Sequence, residues 1–177
     1  GGPTAAELLN TWGERDIVRV LRDYGEEPRA RPIAREVLES RPLETTTDLA
    51  EAISRVTPYK LRPKTLARCF QAVRIAVNDE MAALEEALLC LPRWVRPGGR
   101  LVVLSYHSLE DRLAKRVMRT GRVDGRDVER DVFGAWEAPW RSVGPRAGSK
   151  PSAEEVARNR RARSARMRVA ERTEVQA

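Results

Sequence analysis

Residues 105–112 (Ser-Tyr-His-Ser-Leu-Glu-Asp-Arg) contain the residue types that acid–base chemistry needs. The only histidine of the chain, His107, stands there among hydroxyl and carboxylate side chains. An apolar run of β-type residues at 101–104 precedes the segment, and apolar residues at helical spacing follow it. Ligands of open α/β sheets bind outside the carboxyl ends of the strands, where helix N-termini offer free N–H groups. We therefore predict that His107 acts in catalysis, in a cleft.

Three neighbours of His107 are candidates for substrate binding, namely Ser105, Ser108 and Glu110. A structural alternative exists for this segment. Ser108 and Asp111 have the spacing of a helix-capping box, and for these two residues we favour that role. The corresponding alternative for His107 is a hydrogen bond to a local backbone carbonyl. If His107 is catalytic, its replacement by alanine should reduce turnover with little change in melting temperature.

A second candidate surface lies on a predicted helix, where Gln71, Arg74 and Asn78 are spaced by three and four residues. Amide and guanidinium groups in such a row can hydrogen-bond base edges and phosphates. The alternative is an ordinary solvated helix face.

The third candidate is an arginine-rich stretch at 159–168, with five arginines in nine residues from Arg160 onward. Its charge density is typical of phosphate binding, and the alternative is a solvated basic tail. The substrate-binding candidates are Arg161, Arg163, Ser164 and Arg166.

The overall charge is compatible with a polyanionic partner. Lys and Arg number 33 against 26 Asp and Glu, so the net charge is +7, and only four of the 33 are lysines. Arg binds phosphate through a planar fork, although a GC-rich genome explains the excess of arginine equally well. One histidine and two cysteines exclude most zinc sites, and no metal ligands are predicted.

The periodicity of apolar residues predicts helices up to about residue 92 and an α/β unit after it. A capping box of Asp48 and Glu51 begins one helix, and residues 65–90 form one long helix. After the turn at Gly98-Gly99, residues 101–104 form an inner strand of a parallel sheet, buried on both faces. We further predict a loop over 120–150 with a short strand near Trp140–Val143, a short helix after Ser152, and a half-exposed final strand from Arg166.

Neither a membrane span nor a leader is expected. No apolar run approaches the roughly 20 residues that cross a bilayer. The residues from Gly1 onward have neither the basic region nor the apolar region of a signal peptide.

Taken together and in order, these segments resemble the RsmH (MraW) family of 16S rRNA (cytosine-N4) methyltransferases. The resemblance runs over almost the whole chain. Its strongest parts are His107 to Arg112 with Lys115, and Arg161 to Ala165 with Arg168. Weaker parts are Gly2-Pro3-Thr4-Ala5, Tyr24-Gly25-Glu26-Glu27, Thr45-Thr46-Thr47-Asp48-Leu49-Ala50, Phe70-Gln71-Ala72-Val73-Arg74-Ile75 and Pro97-Gly98-Gly99-Arg100-Leu101.

The resemblance implies an α/β fold: part of a class I (Rossmann-like) S-adenosylmethionine methyltransferase core plus an all-helical inserted subdomain. Residues 1–82 would be the insert, which recognises substrate. Residues 83–177 would be the C-terminal part of the core, closed by an antiparallel strand near 166–170. The main S-adenosylmethionine site would lie in a half that precedes Gly1, since Gly98-Gly99 stands before a strand instead of after one.

The resemblance also implies small-subunit rRNA or the ribosomal subunit as partner, together with a homodimer or a complementing N-terminal half. The location would be the cytoplasm in a bacterium, or a mitochondrion or chloroplast in a eukaryote. This chain alone would be inactive. The stretch before Phe70 departs from the family, and residues 121–146 are hard to align with it. A non-catalytic RNA-binding or ribosome-assembly factor derived from the family is the alternative.

Overall fold

The computed structural model describes residues 2–124, 126 and 137–175. The chain divides into two compact units, one ending at Glu80 and one beginning at Met81. The sequence predicts a division after residue 82, into a helical insert and part of a larger core. That interpretation stays a prediction. Of the loop expected over 120–150, residues 125 and 127–136 lie outside the described residues.

The first unit is built from helices, as the periodicity predicts. They are α1 (Ala5–Thr11), α2 (Glu14–Asp23), α3 (Ala30–Glu39), α4 (Thr46–Arg55), a 3₁₀ turn (Tyr59–Leu61) and α5 (Arg62–Asn78). Their apolar faces meet in one core, in which Ile17, Ile33 and Ile53 are almost completely buried. Cys69 lies in the same core, and burial raises the pKa of its thiol to about 12, with the Glu27 carboxylate adding to the effect. This cysteine is therefore a packing residue.

Helix α4 begins one turn earlier than the predicted capping box. Thr45 is the N-cap, and its side chain accepts a hydrogen bond from the N–H of Asp48, 3.2 Å away. The Asp48 carboxylate in turn accepts from the N–H groups of Thr45 and Glu44 at 2.8 and 2.9 Å. The prediction of an Asp48–Glu51 box is wrong, because Asp48 occupies the third helical position instead of the cap.

The predicted long helix over 65–90 is also wrong, because the chain turns at Asp79. This residue adopts the left-handed conformation (φ 49°, ψ 40°) and ends α5, and α6 (Glu80–Trp94) begins at the next residue. Asn and Asp tolerate this conformation better than other non-glycine residues. The apolar spacing continues through the break, so periodicity alone does not reveal it.

The second unit packs helices against a small sheet. Its further elements are β1 (Arg100–Ser105), α7 (Ser108–Thr120), β2 (Trp140–Val143), α8 (Ala153–Arg158), a 3₁₀ helix (Arg160–Ser164) and β3 (Arg166–Arg172). The strand order is β1-β3-β2, and β3 is antiparallel to both neighbours. The predictions of a strand at Trp140–Val143, a short helix after Ser152 and an antiparallel final strand are confirmed.

Strand β1 is not an inner strand of a parallel sheet. Among the described residues it pairs with β3 alone, so it forms an edge of an antiparallel sheet. Leu101 and Ser105 are buried, whereas Val102 and Leu104 are 56% and 54% exposed. The prediction of a strand buried on both faces is therefore wrong for this chain. An apolar run shows that a strand forms but does not reveal its neighbours.

The covered face of the sheet carries the core of the second unit. Leu101, Trp140 and Ala170 from the strands pack with Leu113 and Val117 of α7. Arg172, at the end of β3, is buried and donates through Nε to the carbonyl of Pro92, 2.9 Å away. This contact connects the end of α6 to the central strand. The second free cysteine, Cys90, is exposed.

The corrected capping box can be tested by paired substitutions. Thr45→Ala removes the acceptor for the Asp48 N–H, and we expect it to lower the free energy of unfolding by about 1 kcal/mol. The exposed Glu51→Ala is the control and should change that free energy by less than about 0.5 kcal/mol. Urea denaturation followed by circular dichroism measures both. Equal losses in the two variants would contradict the assignment.

The same cap predicts a pH dependence. The pKa of Asp48 lies below its ordinary value, because its carboxylate accepts from the Thr45 and Glu44 N–H groups. A lowered pKa contributes stability above the pKa of the unfolded chain, and this contribution is lost as the pH falls through the folded-state pKa. The difference in melting temperature between the wild type and Asp48→Asn should therefore shrink below about pH 4. A melting-temperature difference between the two proteins that stays constant down to strongly acid pH would contradict this prediction.

Candidate functional site

The predicted catalytic segment forms the junction between β1 and α7. His107, not Ser108, is the N-cap of α7: the Glu110 N–H donates to His107 Nδ1 at 3.4 Å. Glu110 Oε2 accepts from the N–H groups of Tyr106 and His107 at 2.7 and 3.3 Å. The predicted Ser108–Asp111 box is therefore wrong by one residue. The cap uses an imidazole nitrogen where a hydroxyl or carboxylate is usual.

The cap holds the imidazole of His107 in a defined orientation. Its side chain is only 10% exposed, and Nε2 lies 3.3 Å from Glu110 Oε1. This contact is not a hydrogen bond, and Nε2 is buried without a hydrogen-bond partner among the described residues. Because Nδ1 accepts, it carries no proton, and the neutral ring has its proton on Nε2. His107 lines none of the three cavities described below.

Ser105 and Ser108 have different environments. Ser105 is buried at the end of β1, and its hydroxyl donates to the Arg166 carbonyl at 3.2 Å. Ser108 is exposed at the first position of α7. Both lie beside His107, as expected, and the substrate-binding role of each stays a prediction.

Asp111 binds two arginines of β3 instead of capping the helix. Arg168 donates to its two carboxylate oxygens from Nε and Nη2 at 2.7 and 2.9 Å. Arg166 Nε lies 3.8 Å from the same carboxylate. The Asp111 and Arg168 side chains are 19% and 10% exposed, so water screens this pair little. It fixes the first turn of α7 on the central strand.

The predicted arginine surface is divided by the fold. Arg161, Arg163 and Ser164 lie on the exposed 3₁₀ helix, and neither arginine has an ion pair among the described residues. Arg166 is partly buried and also donates to the Ala147 carbonyl at 2.6 Å. Two of the candidate arginines are therefore available to a phosphate, whereas the third is engaged inside the protein.

In the first unit, α5 brings Arg74 and Asn78 together. Arg74 donates to both carboxylate oxygens of Glu80 at 2.8 and 2.9 Å, and Asn78 Nδ2 donates to Oε1 at 3.1 Å. Glu80 was missed from the sequence. It compensates the charge of Arg74, so this surface offers less positive potential than its composition indicates.

A cavity of about 320 Å³ lies beside these two residues. Its wall is mainly apolar, with Phe70 and Val73 among the lining side chains and Arg74 and Asn78 at its polar side. Gln71 is half-buried and does not line the cavity. A smaller cavity of about 210 Å³ lies near Trp12 in the same unit.

The second unit contains a larger cavity of about 540 Å³, which the sequence did not predict. Among the described residues, no carboxylate lines it and four cationic side chains do: Lys115, Arg119, Arg146 and Arg168. We call it the basic cavity. Only helix geometry, which places Lys115 and Arg119 one turn apart on α7, could have indicated part of it.

Within residues 2–124, 126 and 137–175, no three His, Cys, Asp or Glu side chains are grouped as metal ligands would be. Over the same residues, none of the helices has both the length and the apolar character needed to span a bilayer.

Comparison with known proteins decides the family. The profile of the MraW methylase family matches residues 2–173. The chain belongs to the MraW methylase family. The resemblance read from the sequence motifs is therefore confirmed, and it extends over both units.

Relatives in this family bear the name ribosomal RNA small subunit methyltransferase H. The Parabacteroides distasonis protein is 44% identical over 173 residues, which cover 96% of this chain and 56% of the relative. The Flavobacterium johnsoniae protein is 42% identical over 170 residues, 94% of this chain and 55% of the relative. A Synechocystis protein is 48% identical over 119 residues, 66% of this chain and 39% of the relative. The chain spans about half the length of the curated relatives it matches.

The capping role of His107 changes what its substitution should do. His107→Ala removes the acceptor for the Glu110 N–H, and we expect a loss of about 1 kcal/mol in the free energy of unfolding. His107→Asn keeps an acceptor at the N-cap and should lose less. Calorimetric melting of the wild type and both variants measures this. If both variants melt like the wild type, the cap does not contribute to stability.

Proposed function

We propose that this chain is part of an S-adenosylmethionine-dependent enzyme that methylates the N4 atom of a cytidine in small-subunit rRNA. The observation that carries the proposal is the MraW methylase match over residues 2–173, joined by relatives named as small-subunit rRNA methyltransferases. These relatives are bacterial, which supports action on the ribosome in a bacterial cytoplasm.

The sheet supports the view that the second unit is the C-terminal part of a class I methyltransferase core. Strands β1 and β2 run in the same direction, and the antiparallel β3 separates them. Parallel strands joined through a helix are typical of α/β sheets, and a mixed sheet often has an antiparallel strand near its edge. The exposed Val102 and Leu104 lie on the face where further elements of the core would pack against this sheet.

The residues of this chain do not fit the main cofactor site. Gly98 and Gly99 form a turn before β1, and their N–H groups donate to the carbonyls of Arg172 and Arg96, both at 2.9 Å. Neither amide is free for a ligand, and no strand leads into this turn. We place the main S-adenosylmethionine site in the part of the longer protein that these residues do not include, and we expect a calorimetric titration of this chain to detect no binding.

The role assigned to this chain is to hold the RNA. Its net charge of +7 gives a surface for backbone phosphates, together with Arg161 and Arg163, which form no ion pair with other described residues. Gln71, Arg74 and Asn78 are proposed to contact base edges and backbone from the helical unit, which we take to be the substrate-recognition insert. A base that reacts at an exocyclic amine has to leave its stack.

The reacting amine of cytosine is a weak nucleophile, because its lone pair is delocalised into the ring. Alignment of the amine and acceptance of a hydrogen bond from it are the ways in which side chains can help. We assign the alignment of the amine to the junction of β1 and α7, where Glu110 orients His107 and the Ser105 hydroxyl is fixed on the Arg166 carbonyl.

A chimaera tests the proposal. The portion of the Flavobacterium johnsoniae relative that this chain does not match would be joined to the chain, and transfer of a radioactive methyl group to small ribosomal subunits measured. We expect transfer by the chimaera and none by the chain alone. His107→Asn in the chimaera should lower kcat by about 100-fold or more, with little change in KM for the subunit.

Two outcomes would contradict parts of the proposal. A chimaera that binds both S-adenosylmethionine and the subunit without methylating it would favour a non-catalytic assembly factor. A His107→Asn chimaera with an unchanged rate would remove His107 from the site without affecting the rest. As a matched control for general surface damage, Arg15→Gln in the helical unit should leave kcat unchanged.

A further inference from the structure

The basic cavity combines charge with enclosure. Helix α7 supplies Lys115 and Arg119, the segment after β2 supplies Arg146, and β3 supplies Arg168. Asp111 compensates Arg168, but no carboxylate from the part of the chain that the structure describes lines the cavity itself. The Lys115 ammonium and the Arg146 guanidinium have neither an ion pair nor a hydrogen bond to other residues that the structure describes. Lys115 and Arg146 thus line the cavity without an acidic partner among the described residues, which favours an anionic ligand.

The wall that presents Arg146 is held firmly. Ser149 and Met167 exchange two backbone hydrogen bonds, at 2.8 and 2.9 Å, which bind the segment after β2 to β3. Arg168 Nη1 donates to the Arg146 carbonyl at 3.2 Å. Gly148 (φ 75°) allows the turn, and a Cβ there would come within 2.9 Å of the Arg166 side chain. The cationic groups therefore surround the cavity before any ligand arrives, which lowers the entropic cost of binding.

The rest of the cavity is suited to the sugar that follows a phosphate. Met118 and Met167 line it with apolar atoms, and 540 Å³ is far more than one phosphate fills. Ligand sites of this size commonly pair a few polar anchors with an apolar wall. A nucleotide unit of a nucleic-acid strand has both parts.

The location connects the basic cavity with the proposed reaction centre. Strands β1 and β2 run toward the end of the sheet at which β3 begins. His107 caps α7 at this end, and Lys115 lies eight residues further along the same helix, about 12 Å by helix rise. A single RNA strand could therefore contact both places within a few nucleotides.

We propose that the basic cavity binds a backbone phosphate and its ribose from the substrate RNA, next to the cytidine that reacts. The inference rests on the proposed function and extends it to a site outside the predicted arginine surface. Lys115 and Arg146 provide the direct contacts to the phosphate. Arg168, which is paired with Asp111, holds the wall that carries Arg146.

The test compares two double variants with equal charge change. Lys115→Gln/Arg146→Gln alters the cavity, whereas Arg15→Gln/Arg31→Gln alters exposed arginines of the helical unit that form no ion pair with other described residues. Fluorescence anisotropy with a labelled 12-nucleotide single-stranded RNA, over a series of salt concentrations, measures affinity. The cavity variant should bind at least tenfold more weakly, and its salt slope should fall by about 0.7, as for one phosphate that is no longer neutralised. The control variant should stay within about threefold of the wild type.

A charge-preserving variant shows whether weaker binding comes from a lost phosphate contact or from a protein that no longer folds. Lys115→Arg/Arg146→Lys should keep the affinity within about threefold, and calorimetry should show that all variants melt near the wild-type temperature. A second arm follows the amide signals of Gly148 and Ser149 by NMR at constant ionic strength. The RNA should shift them at micromolar concentration, and inorganic phosphate only at far higher concentration.

The outcomes divide clearly. If the cavity variant binds RNA no more weakly than the control variant does, while the wild type binds RNA, the cavity proposal is overturned and the proposed function stays intact. Inorganic phosphate that shifts the signals as readily as RNA does would show a free-phosphate site and overturn the RNA assignment. A wild-type chain that binds no RNA even at low salt would overturn both.

Discussion

The pair between Asp111 and Arg168 is the contact on which the second unit depends. It joins residues 57 positions apart with two hydrogen bonds in a poorly hydrated place. A carboxylate in the first turn of a helix is also favoured by the helix dipole. Arg168 also donates to the carbonyl of Arg146. The same side chain therefore connects α7, β3 and the wall of the basic cavity. Loss of either partner would leave a charge with little solvent, which costs several kcal/mol in typical proteins.

Much of the local structure follows from the sequence. The helices of the first unit, the helix after Ser108 and the strand at Arg166–Arg172 are each indicated by the spacing of their apolar residues. The break at Asp79 is not, because one residue in a left-handed conformation leaves the apolar spacing undisturbed. The sequence also does not indicate which strands lie beside β1. Four consecutive apolar residues are compatible with a strand between two others and equally with an edge strand that has one open face.

The sequence predicted where the candidate site lies but not which contacts its residues make. Position alone placed His107 at a strand end and a helix start, and both are observed. Its capping role was missed because Ser and Asp are the usual caps and imidazole is not. The partners of Arg74 and Arg168 were missed for another reason: Glu80 and Asp111 become neighbours only when a turn closes or a strand packs on a helix. Surface charge counted from the sequence therefore overstates the positive charge that is free to bind a polyanion.

The open edge of β1 has a consequence for handling the protein. Its outer backbone groups have no strand partner among the described residues, and Val102 and Leu104 project from the adjoining face. Natural sheets protect such edges with charged residues, prolines or bulges, because an unprotected edge recruits strands from other molecules. Within β1, only Arg100 gives that protection. In concentrated solution this stretch is therefore the point from which self-association and aggregation should start.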